Sequence, residues 1–195
     1  PILATSIGLI YAILIDRARG EAFAKALIFL PMAISMVGAG IIWKFVYQYK
    51  QTSRPQIGLL NAILKFFGFE TQQFLINAPL NTFMLIIVMV WIQAGFAMTV
   101  LSAAIKAIPD EIIEAAKLDG VMAFKMFRYI TLPSIRPALV VVVTTIGIGT
   151  LKVFDIVRTM TGGQFDTSVV ANEFYNQNFR YNAGGLGAAL AGQLF

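Results

Sequence analysis

Long apolar runs are the feature that most constrains what this chain can fold into. Residues 26–47, 80–105 and 137–157 are each nearly continuous in apolar side chains, and each approaches or exceeds the ~20 residues that a helix needs to cross a bilayer. A shorter apolar run, 2–15, and a Gly- and Ala-rich segment from Ala183 are expected to be helices cut short. Because backbone polar groups must be satisfied within lipid, we predict an all-α, polytopic transmembrane helical bundle, truncated at both ends.

The composition agrees with a lipid environment and removes many kinds of chemistry. Hydrophobic residues make up 58% of the 195 residues and charged residues only 13%, a balance that is rare in water-soluble domains. The chain has no cysteine and no histidine, so thiolate nucleophiles, histidine bases and the common zinc or haem ligand sets are excluded from it. We predict no catalytic residue and no metal site. The basic residues behind the net charge of +5 are dispersed, which argues against nucleic-acid binding.

Four polar segments separate the apolar runs, and their basic residues predict the orientation in the membrane. Segments 16–25 and 106–136 hold three and five Lys and Arg residues, against three and two in segments 48–79 and 158–182. By the positive-inside rule, the first pair faces the cytoplasm and the second pair faces outward. The external segment 48–79 also predicts a short amphipathic helix against the membrane, whose apolar residues recur at helical spacing. They are Leu59, Leu60, Ile63, Leu64 and Phe67.

The cytoplasmic segment 106–136 predicts a helix, a turn and a second helix. Pro109, Asp110 and Glu111 suit a first helical turn, and Gly120 suits the end of that helix because glycine readily adopts the left-handed conformation found there. A second short helix is predicted over residues 122–129. The first helix has a partly apolar surface just outside the membrane. That surface can lie on lipid, pack beneath its own bundle or bind a soluble partner.

The spacing of residues in this segment resembles one protein family. Glu114-Ala115-Ala116, three residues, Gly120, nine residues and then Ile130-Thr131-Leu132-Pro133 match the EAA loop of binding-protein-dependent ABC importer permeases at every motif position. The chain is most similar to the maltose and α-glucoside branch. One departure is Gln164, where many relatives have proline, and it does not touch the loop.

The resemblance covers nearly all of the chain. Outside the loop it rests on four further motifs, which are Phe29-Leu30-Pro31, Gly58-Leu59-Leu60-Asn61, Phe154-Asp155 and Thr161-Gly162-Gly163. It implies a partial permease domain over residues 1–195, with 106–136 as its cytoplasmic coupling loop. It further implies a multi-pass protein in the cytoplasmic membrane of a prokaryote.

The resemblance also implies partners and a role for the loop. In that family the loop docks into a cleft on an ATPase subunit, so Glu114 is expected to pair with a basic group there. The residues carried over to this coupling role are Glu114, Ala115, Ala116, Asp119, Gly120, Ile130, Leu132 and Pro133. The implied partners are an ATPase subunit dimer, a second permease subunit, an extracytoplasmic solute-binding protein, a sugar and membrane lipid.

A substrate pathway is implied by the resemblance alone. It would be lined by the spans flanking the loop and by the helix after Pro31, at Met32, Met36, Gln93, Phe96, Gly149 and Thr150. Sugars are commonly bound by hydrogen-bonding side chains and aromatic rings, which this set contains. Judged from the residues alone, a pathway role for Trp91 and Gln93 is about as well supported as a structural role, in which Trp91 packs and Gln93 makes an interhelical hydrogen bond.

The chain contains no Gly-Lys dipeptide and therefore no phosphate-binding P-loop. We expect no cofactor on this chain, with ATP and Mg bound by the partner ATPase, and so a transport subunit rather than an enzyme. The predicted function is translocation of a sugar, an α-glucoside or a maltose- or trehalose-like oligosaccharide. The alternatives are a permease for another small solute or an ion-coupled secondary transporter. A secondary transporter is expected to place paired charges deep in its spans. Only Lys152 and Asp155 are candidates for such charges, and we predict an ion pair between them.

Overall fold

The computed structural model describes residues 1–16, 18–51 and 55–194. Within those residues every regular element is helical, which confirms the all-α prediction. Arg17 and Arg54, which entered the prediction of orientation, and Phe195, at the predicted truncated end, lie outside the described residues.

The helices are short, with one exception, and several are joined by single turns of another helix type. The first five are α1 (Ile2–Ile15), α2 (Glu21–Phe29), α3 (Met36–Val46), α4 (Leu59–Phe66) and α5 (Leu80–Lys106). The next four are α6 (Asp110–Leu118), α7 (Ala123–Met126), α8 (Leu132–Ser134) and α9 (Arg136–Leu151). The last three are α10 (Asp155–Met160), α11 (Val170–Tyr175) and α12 (Gly184–Leu194). A 3₁₀ turn spans Leu30–Ala33, and π-helical turns span Phe127–Thr131 and Asn176–Arg180.

Helix α5 confirms the predicted span over residues 80–105. Its 27 residues would extend about 40 Å, more than the ~30 Å of bilayer hydrocarbon. Among the described residues it is the one helix long and apolar enough to cross a membrane by itself. Up to three spans result if two interrupted pairs, 21–46 and 123–151, each count as one.

The prediction of one continuous helix over residues 26–47 is wrong. Helix α2 begins earlier, at Glu21, and gives way to the 3₁₀ turn that contains Pro31. Proline lacks the N–H that an α-helix requires and clashes with the preceding turn, which favours a break. Ser35 then has an extended backbone, and its hydroxyl accepts a hydrogen bond from the Gly38 N–H at 3.0 Å, so it caps a new helix, α3.

The prediction of one helix over residues 137–157 is also wrong, because α9 ends at Leu151. The chain is not helical at residues 153–154, and α10 starts at Asp155. An acidic residue is stabilised in the first turn of a helix by the partial positive charge there, which suits Asp155 to a helix start rather than to a helix middle. The Lys152–Asp155 ion pair stays a prediction.

The chain forms two compact units, of which the first comprises Pro1–Ala33 and Val90–Ile148. Its core is formed by the apolar faces of α1, α5 and α9, with Met98, Leu101 and Val142 fully buried. The helices approach closely at two glycines. A Cβ on Gly8 would lie 2.4 Å from the Cβ of Ala97, and a Cβ on Gly95 would lie 2.5 Å from the carbonyl oxygen of Ile28. Helices α1 and α2 therefore pack almost directly on the backbone of α5.

The second unit comprises residues 34–89 and the segment from Gly149 onward. Its segment 48–79 contains the predicted amphipathic helix, α4. Fully buried Asn61 holds this segment together, because its Nδ2 donates to the carbonyl oxygens of Gln48 and Gln72 at 3.0 Å each. Its Oδ1 accepts from the Gln72 N–H at 2.8 Å. A Cβ on Gly58 would lie 2.0 Å from the Gln48 carbonyl oxygen, so this motif has a packing role within the chain.

Candidate functional site

The candidate site begins where α5 ends. Lys106 is the last residue of α5, and only three residues separate it from the start of α6 at Asp110. Pro109 precedes α6, Asp110 and Glu111 lie in its first turn, and Lys117 lies in its last turn. These charges oppose the partial charges of the helix ends and stabilise a helix of only nine residues. The predicted first helix of the segment is therefore confirmed.

Gly120 ends this helix in the manner that the sequence predicts. Its φ angle is 73°, in the left-handed region. The Val121 N–H donates to the Ala116 carbonyl at 3.0 Å and the Gly120 N–H donates to the Lys117 carbonyl at 3.0 Å. This pair of bonds is the Schellman arrangement, which satisfies the last carbonyls of a helix and reverses the chain. The turn that follows α6 is thus defined by its own hydrogen bonds.

The second helix of the segment extends further than predicted. It does not stop at residue 129 but continues through α7, the π-helical turn Phe127–Thr131 and α8, as far as Ser134. The wider π turn immediately precedes Pro133, whose ring would clash with the carbonyl four residues earlier in a regular α-helix. The run meets α9 at a bend of 68°, just after the proline.

The segment has a buried side within the first unit. Ile108 and Ile135, at either end of the segment, belong to the core cluster, and Ile113 of α6 packs against it. Ala116 is also buried, with 6% of its surface exposed. Because packed side chains do not slide freely, a displacement of α6 must also displace the core residues that it contacts.

The opposite side of the segment exposes large apolar side chains. Leu118 is 89% exposed, Met122 and Phe124 are each 78% exposed, and Tyr129 is 71% exposed. From the sequence, the apolar surface of α6 was predicted, but the exposed side chains of Met122, Phe124 and Tyr129 were not. The available signal was the presence of apolar residues in a segment that is otherwise rich in charge. Large exposed apolar side chains gathered in one segment are typical of a binding surface.

The predicted coupling residues occupy both sides. Glu114, Ala115, Asp119, Gly120 and Pro133 are exposed, Ile130 and Leu132 are half-buried, and Ala116 is buried. This division suits a docking surface, because the exposed residues are accessible to a partner and the buried residue fixes the helix. Their coupling role stays a prediction.

The predicted pathway residues are divided between the two units. Met32, Gln93 and Phe96 belong to the first unit, whereas Met36, Gly149 and Thr150 belong to the second. Phe96 packs against the core cluster of its unit, and Met32 is exposed. Because the six residues are divided in this way, the pathway stays a prediction.

In the described part of the chain, no group of three or more Asp, Glu, His or Cys side chains is placed to hold a metal ion. The segment offers a turn with its own hydrogen bonds, exposed apolar side chains and surrounding charges. These features suit the binding of a partner.

Known proteins with similar sequences are transport permeases. The chain is 50% identical over 189 residues to the osmoprotective compounds uptake permease protein GgtC of Synechocystis, an alignment that covers 97% of this chain and 68% of the relative. It is 49% identical to the alpha-glucoside transport system permease protein AglF of Rhizobium meliloti, with 98% of this chain and 57% of the relative covered. It is 32% identical to the trehalose/maltose transport system permease protein MalF of Thermococcus litoralis, with 97% and 63% covered. The chain thus spans from 57% to 68% of the length of these relatives.

The fold is likewise that of a known importer. The crystal structure of a bacterial ABC transporter involved in the import of the acidic polysaccharide alginate matches with a TM-score of 0.82. The match covers 95% of this chain and 65% of the other, and the sequences are 22% identical, so it establishes the fold alone.

The family itself is established by a match along almost the whole chain. The model of the binding-protein-dependent transport system inner membrane component matches residues 4–195. That family consists of membrane transport components, so the predictions of a permease and of a non-enzymatic subunit are confirmed. This chain belongs to the family of inner membrane components of binding-protein-dependent transport systems.

Proposed function

We propose that this chain is the permease subunit of an ATP-driven importer that carries a sugar, an α-glucoside or a maltose- or trehalose-like oligosaccharide, across the cytoplasmic membrane. Family membership supports the transport role. The names of two relatives, an alpha-glucoside permease and a trehalose/maltose permease, support the substrate class.

The observation that carries the proposal is the exposed apolar surface that follows α6. Leu118, Met122, Phe124 and Tyr129 are all more than two-thirds exposed around a turn with its own hydrogen bonds. Exposing these side chains to water is unfavourable, by about 1.5–3 kcal/mol for a large apolar side chain. A soluble partner that covers them recovers this free energy. We assign that partner as an ATPase subunit, which docks on residues 106–136 from the cytoplasm.

Coupling then follows from how α6 is held. Glu114 and Asp119 are exposed and available to basic groups of the ATPase, while Ala116 and Ile113 fix α6 to the core of its unit. When the ATPase dimer closes on ATP and Mg, the docked helix is displaced. The displacement reaches α5 through the three residues that join the two helices and reaches α9 through the bend after Pro133. The spans change their tilt, and the pathway opens to the other side.

The remaining partners are a second permease subunit, which completes the pathway, an extracytoplasmic solute-binding protein, which delivers the sugar, and membrane lipid. The residues proposed to face the sugar are Met32, Met36, Gln93, Phe96, Gly149 and Thr150. The chain itself binds no cofactor in this proposal, because nucleotide is bound by the ATPase.

The coupling role is tested by reversing the charge of Glu114. We expect Glu114→Lys to weaken association with the ATPase and to lower sugar-stimulated ATP hydrolysis about tenfold, because a repulsive contact replaces an ion pair. Membrane insertion should be unchanged. The matched control is Glu70→Lys, which makes the same change of charge at an exposed position of the external segment and should leave both quantities unaltered.

Two results would contradict the proposal. If the assembled Glu114→Lys complex hydrolysed ATP at the parent level in response to sugar, the loop would have no coupling role. Uptake of sugar by the chain without an ATPase, driven by an ion gradient, would instead favour a secondary transporter. Hydrolysis measured across maltose, trehalose, other α-glucosides and non-sugar solutes would identify the cargo.

A further inference from the structure

Four charged side chains and one serine converge at the end of α5 that leads into α6. They are Asp16 at the end of α1, Glu21 and Lys25 of α2, and Ser102 and Lys106 of α5, and we call this group the ion cluster. All five residues belong to the first unit. From the sequence, residues 16–25 were predicted only as a polar segment between apolar runs, and their contacts with Ser102 and Lys106 were not predicted.

The ion cluster is continuous. The Lys25 Nζ lies 2.6 Å from Asp16 Oδ1 and 2.7 Å from Glu21 Oε1, so one ammonium group bridges α1 and α2. The Ser102 hydroxyl donates to Asp16 Oδ1 at 2.7 Å and accepts from Lys25, which adds α5. Lys106 pairs with Glu21 and closes the network. The two ammonium groups balance the two carboxylates.

The cluster is partly shielded from water. The Asp16 side chain is 12% exposed, Lys25 is 23% exposed and Ser102 is 2% exposed. Ion pairs in full contact with water contribute little, because solvent and salt compete for each charge. Breaking a shielded pair is more costly, since one charge is left without its partner where water reaches it poorly. Glu21 and Lys106 are more open, with 32% and 50% of their side chains exposed, so the shielded part of the cluster is the contact of Asp16, Lys25 and Ser102.

The position of the cluster connects it to the coupling helix. Lys106 is the last residue of α5, and α6 begins after residues 107–109, with Ile108 buried in the core of the unit. The glycine contacts of α1 and α2 with α5 are made at Gly8 and Gly95, near the middle of the unit. The cluster adds a polar connection at the end nearest α6.

We propose that the ion cluster makes the ends of α1, α2 and α5 one moving body, so that a displacement of α6 is passed to α1 and α2 as well as to α5. Glu21 and Lys25 are positioning residues, since they act through α5 and touch neither sugar nor ATPase. The proposal rests on the coupling function proposed above, because that function supplies the displacement.

The first test measures the sugar transported for each ATP hydrolysed by the complete transporter, reconstituted with its binding protein, second permease and ATPase. Glu21→Gln keeps the size of the side chain and removes the charge that holds Lys25 and Lys106. We expect transport per ATP to fall about threefold, while association with the ATPase stays at the parent level. Glu21→Asp should recover most of the loss, whereas Glu70→Gln, an exposed matched control, should have no effect.

The second test measures rigidity directly and does not depend on transport. The chain has no cysteine, so Phe23→Cys on α2 and Ala103→Cys on α5 provide the only thiols of this chain for spin labels, both at exposed positions. In the complete transporter we expect one narrow label distance that is the same with and without ATP. Lys25→Met or Glu21→Gln should broaden the distance and make it change on addition of ATP.

The outcomes separate the two proposals. Parent transport per ATP in Glu21→Gln, or an unchanged narrow label distance in Lys25→Met, would overturn the role of the ion cluster. Failure of the parent chain to associate with an ATPase would overturn the proposed function. The role of the ion cluster would still be testable in that case, because the label distances measured without ATP report whether the cluster joins the helix ends.

Discussion

The two segments that flank α5, residues 48–79 before it and residues 107–135 after it, are stabilised in different ways. The first buries a polar side chain, Asn61, whose amide makes three hydrogen bonds to the backbone of the same segment. The second ends α6 with a turn at Gly120 whose hydrogen bonds are made by the backbone alone. Both segments expose large apolar side chains, with Phe66 85% exposed in the first and Leu118 89% exposed in the second. The segments therefore differ in how their backbone is held rather than in how much apolar surface they expose.

This difference teaches how to separate structural residues from binding residues in such a chain. Both segments contain a motif shared with the same permease family, Gly58-Leu59-Leu60-Asn61 in one and Glu114-Ala115-Ala116 in the other. Only burial tells them apart, because Asn61 is inaccessible to any partner and Glu114 is exposed. A motif alone does not reveal which of the two roles it serves.

Asn61→Ala is expected to have the largest effect on folding. It removes three hydrogen bonds between a fully buried amide and the backbone, at about 0.5–1.5 kcal/mol each, so we expect a loss of roughly 3 kcal/mol. Thermal unfolding of the purified protein in detergent measures this loss. Asn77→Ala, which removes an exposed amide from the same segment, is the matched control and should change stability by less than about 0.5 kcal/mol. Equal unfolding temperatures for the two variants would show that the buried amide of Asn61 does not stabilise its segment.

Leu118→Ser is expected to have a smaller effect, and on association rather than folding. The side chain is already exposed, so stability should stay within about 0.5 kcal/mol of the parent. Loss of its burial against the ATPase should weaken association by about 2 kcal/mol, or roughly thirtyfold in Kd. Titration of the ATPase against the membrane-embedded permease measures this change. Phe66→Ser, at an 85% exposed position of the other segment, should leave association with the ATPase unaltered. Equal weakening of association by the two variants would show that docking is not specific to the segment after α5.

Gly120→Ala is expected to have the smallest effect. A Cβ at this position meets no atom within 4 Å, so the only cost is the left-handed φ angle, about 1 kcal/mol. Gly68→Ala imposes the same strain at a φ of 78° in the other segment, also with no atom in contact. Both should lower the unfolding temperature similarly, while Gly120→Ala alone lowers ATPase-coupled transport. Gly120→Asn should be milder than Gly120→Ala, since asparagine tolerates this conformation. Full transport in Gly120→Ala would show that the turn is not needed.

The sequence predicted the elements whose signals are local. The apolar run of α5, the start of α6 at Asp110 and its end at Gly120 were all predicted to within about two residues, the usual uncertainty of a helix boundary. Hydropathy and helix-end preferences act over a few residues, so a single pattern is enough to indicate them. The exposed side of the coupling segment was only partly predicted, because periodicity identifies an apolar side chain but not what covers it.

The sequence could not predict the breaks and long-range contacts to the same degree. Pro31 lies near the start of the apolar run 26–47, where a helix tolerates proline, yet the helix had already begun at Glu21, so the proline falls at its end. The break after Leu151 lies where Lys152 and Asp155 interrupt the apolar run, but the run resumes through Val157, so hydropathy alone predicts one helix. In both places a neighbouring polar side chain, from Ser35 or Asp155, starts the next helix.

By itself, the sequence determined that this chain is helical, that it enters a membrane and that its family is one of transport permeases. Each of these conclusions depends on neighbours along the chain, because lipid requires backbone hydrogen bonds to be made locally. The tertiary structure alone decided that Asp16 and Ser102, 86 residues apart, share a hydrogen bond, and that Glu21 holds Lys106 across 85 residues. Such contacts depend on how closely helices pack, and Gly8 and Gly95 set that distance through space rather than along the sequence.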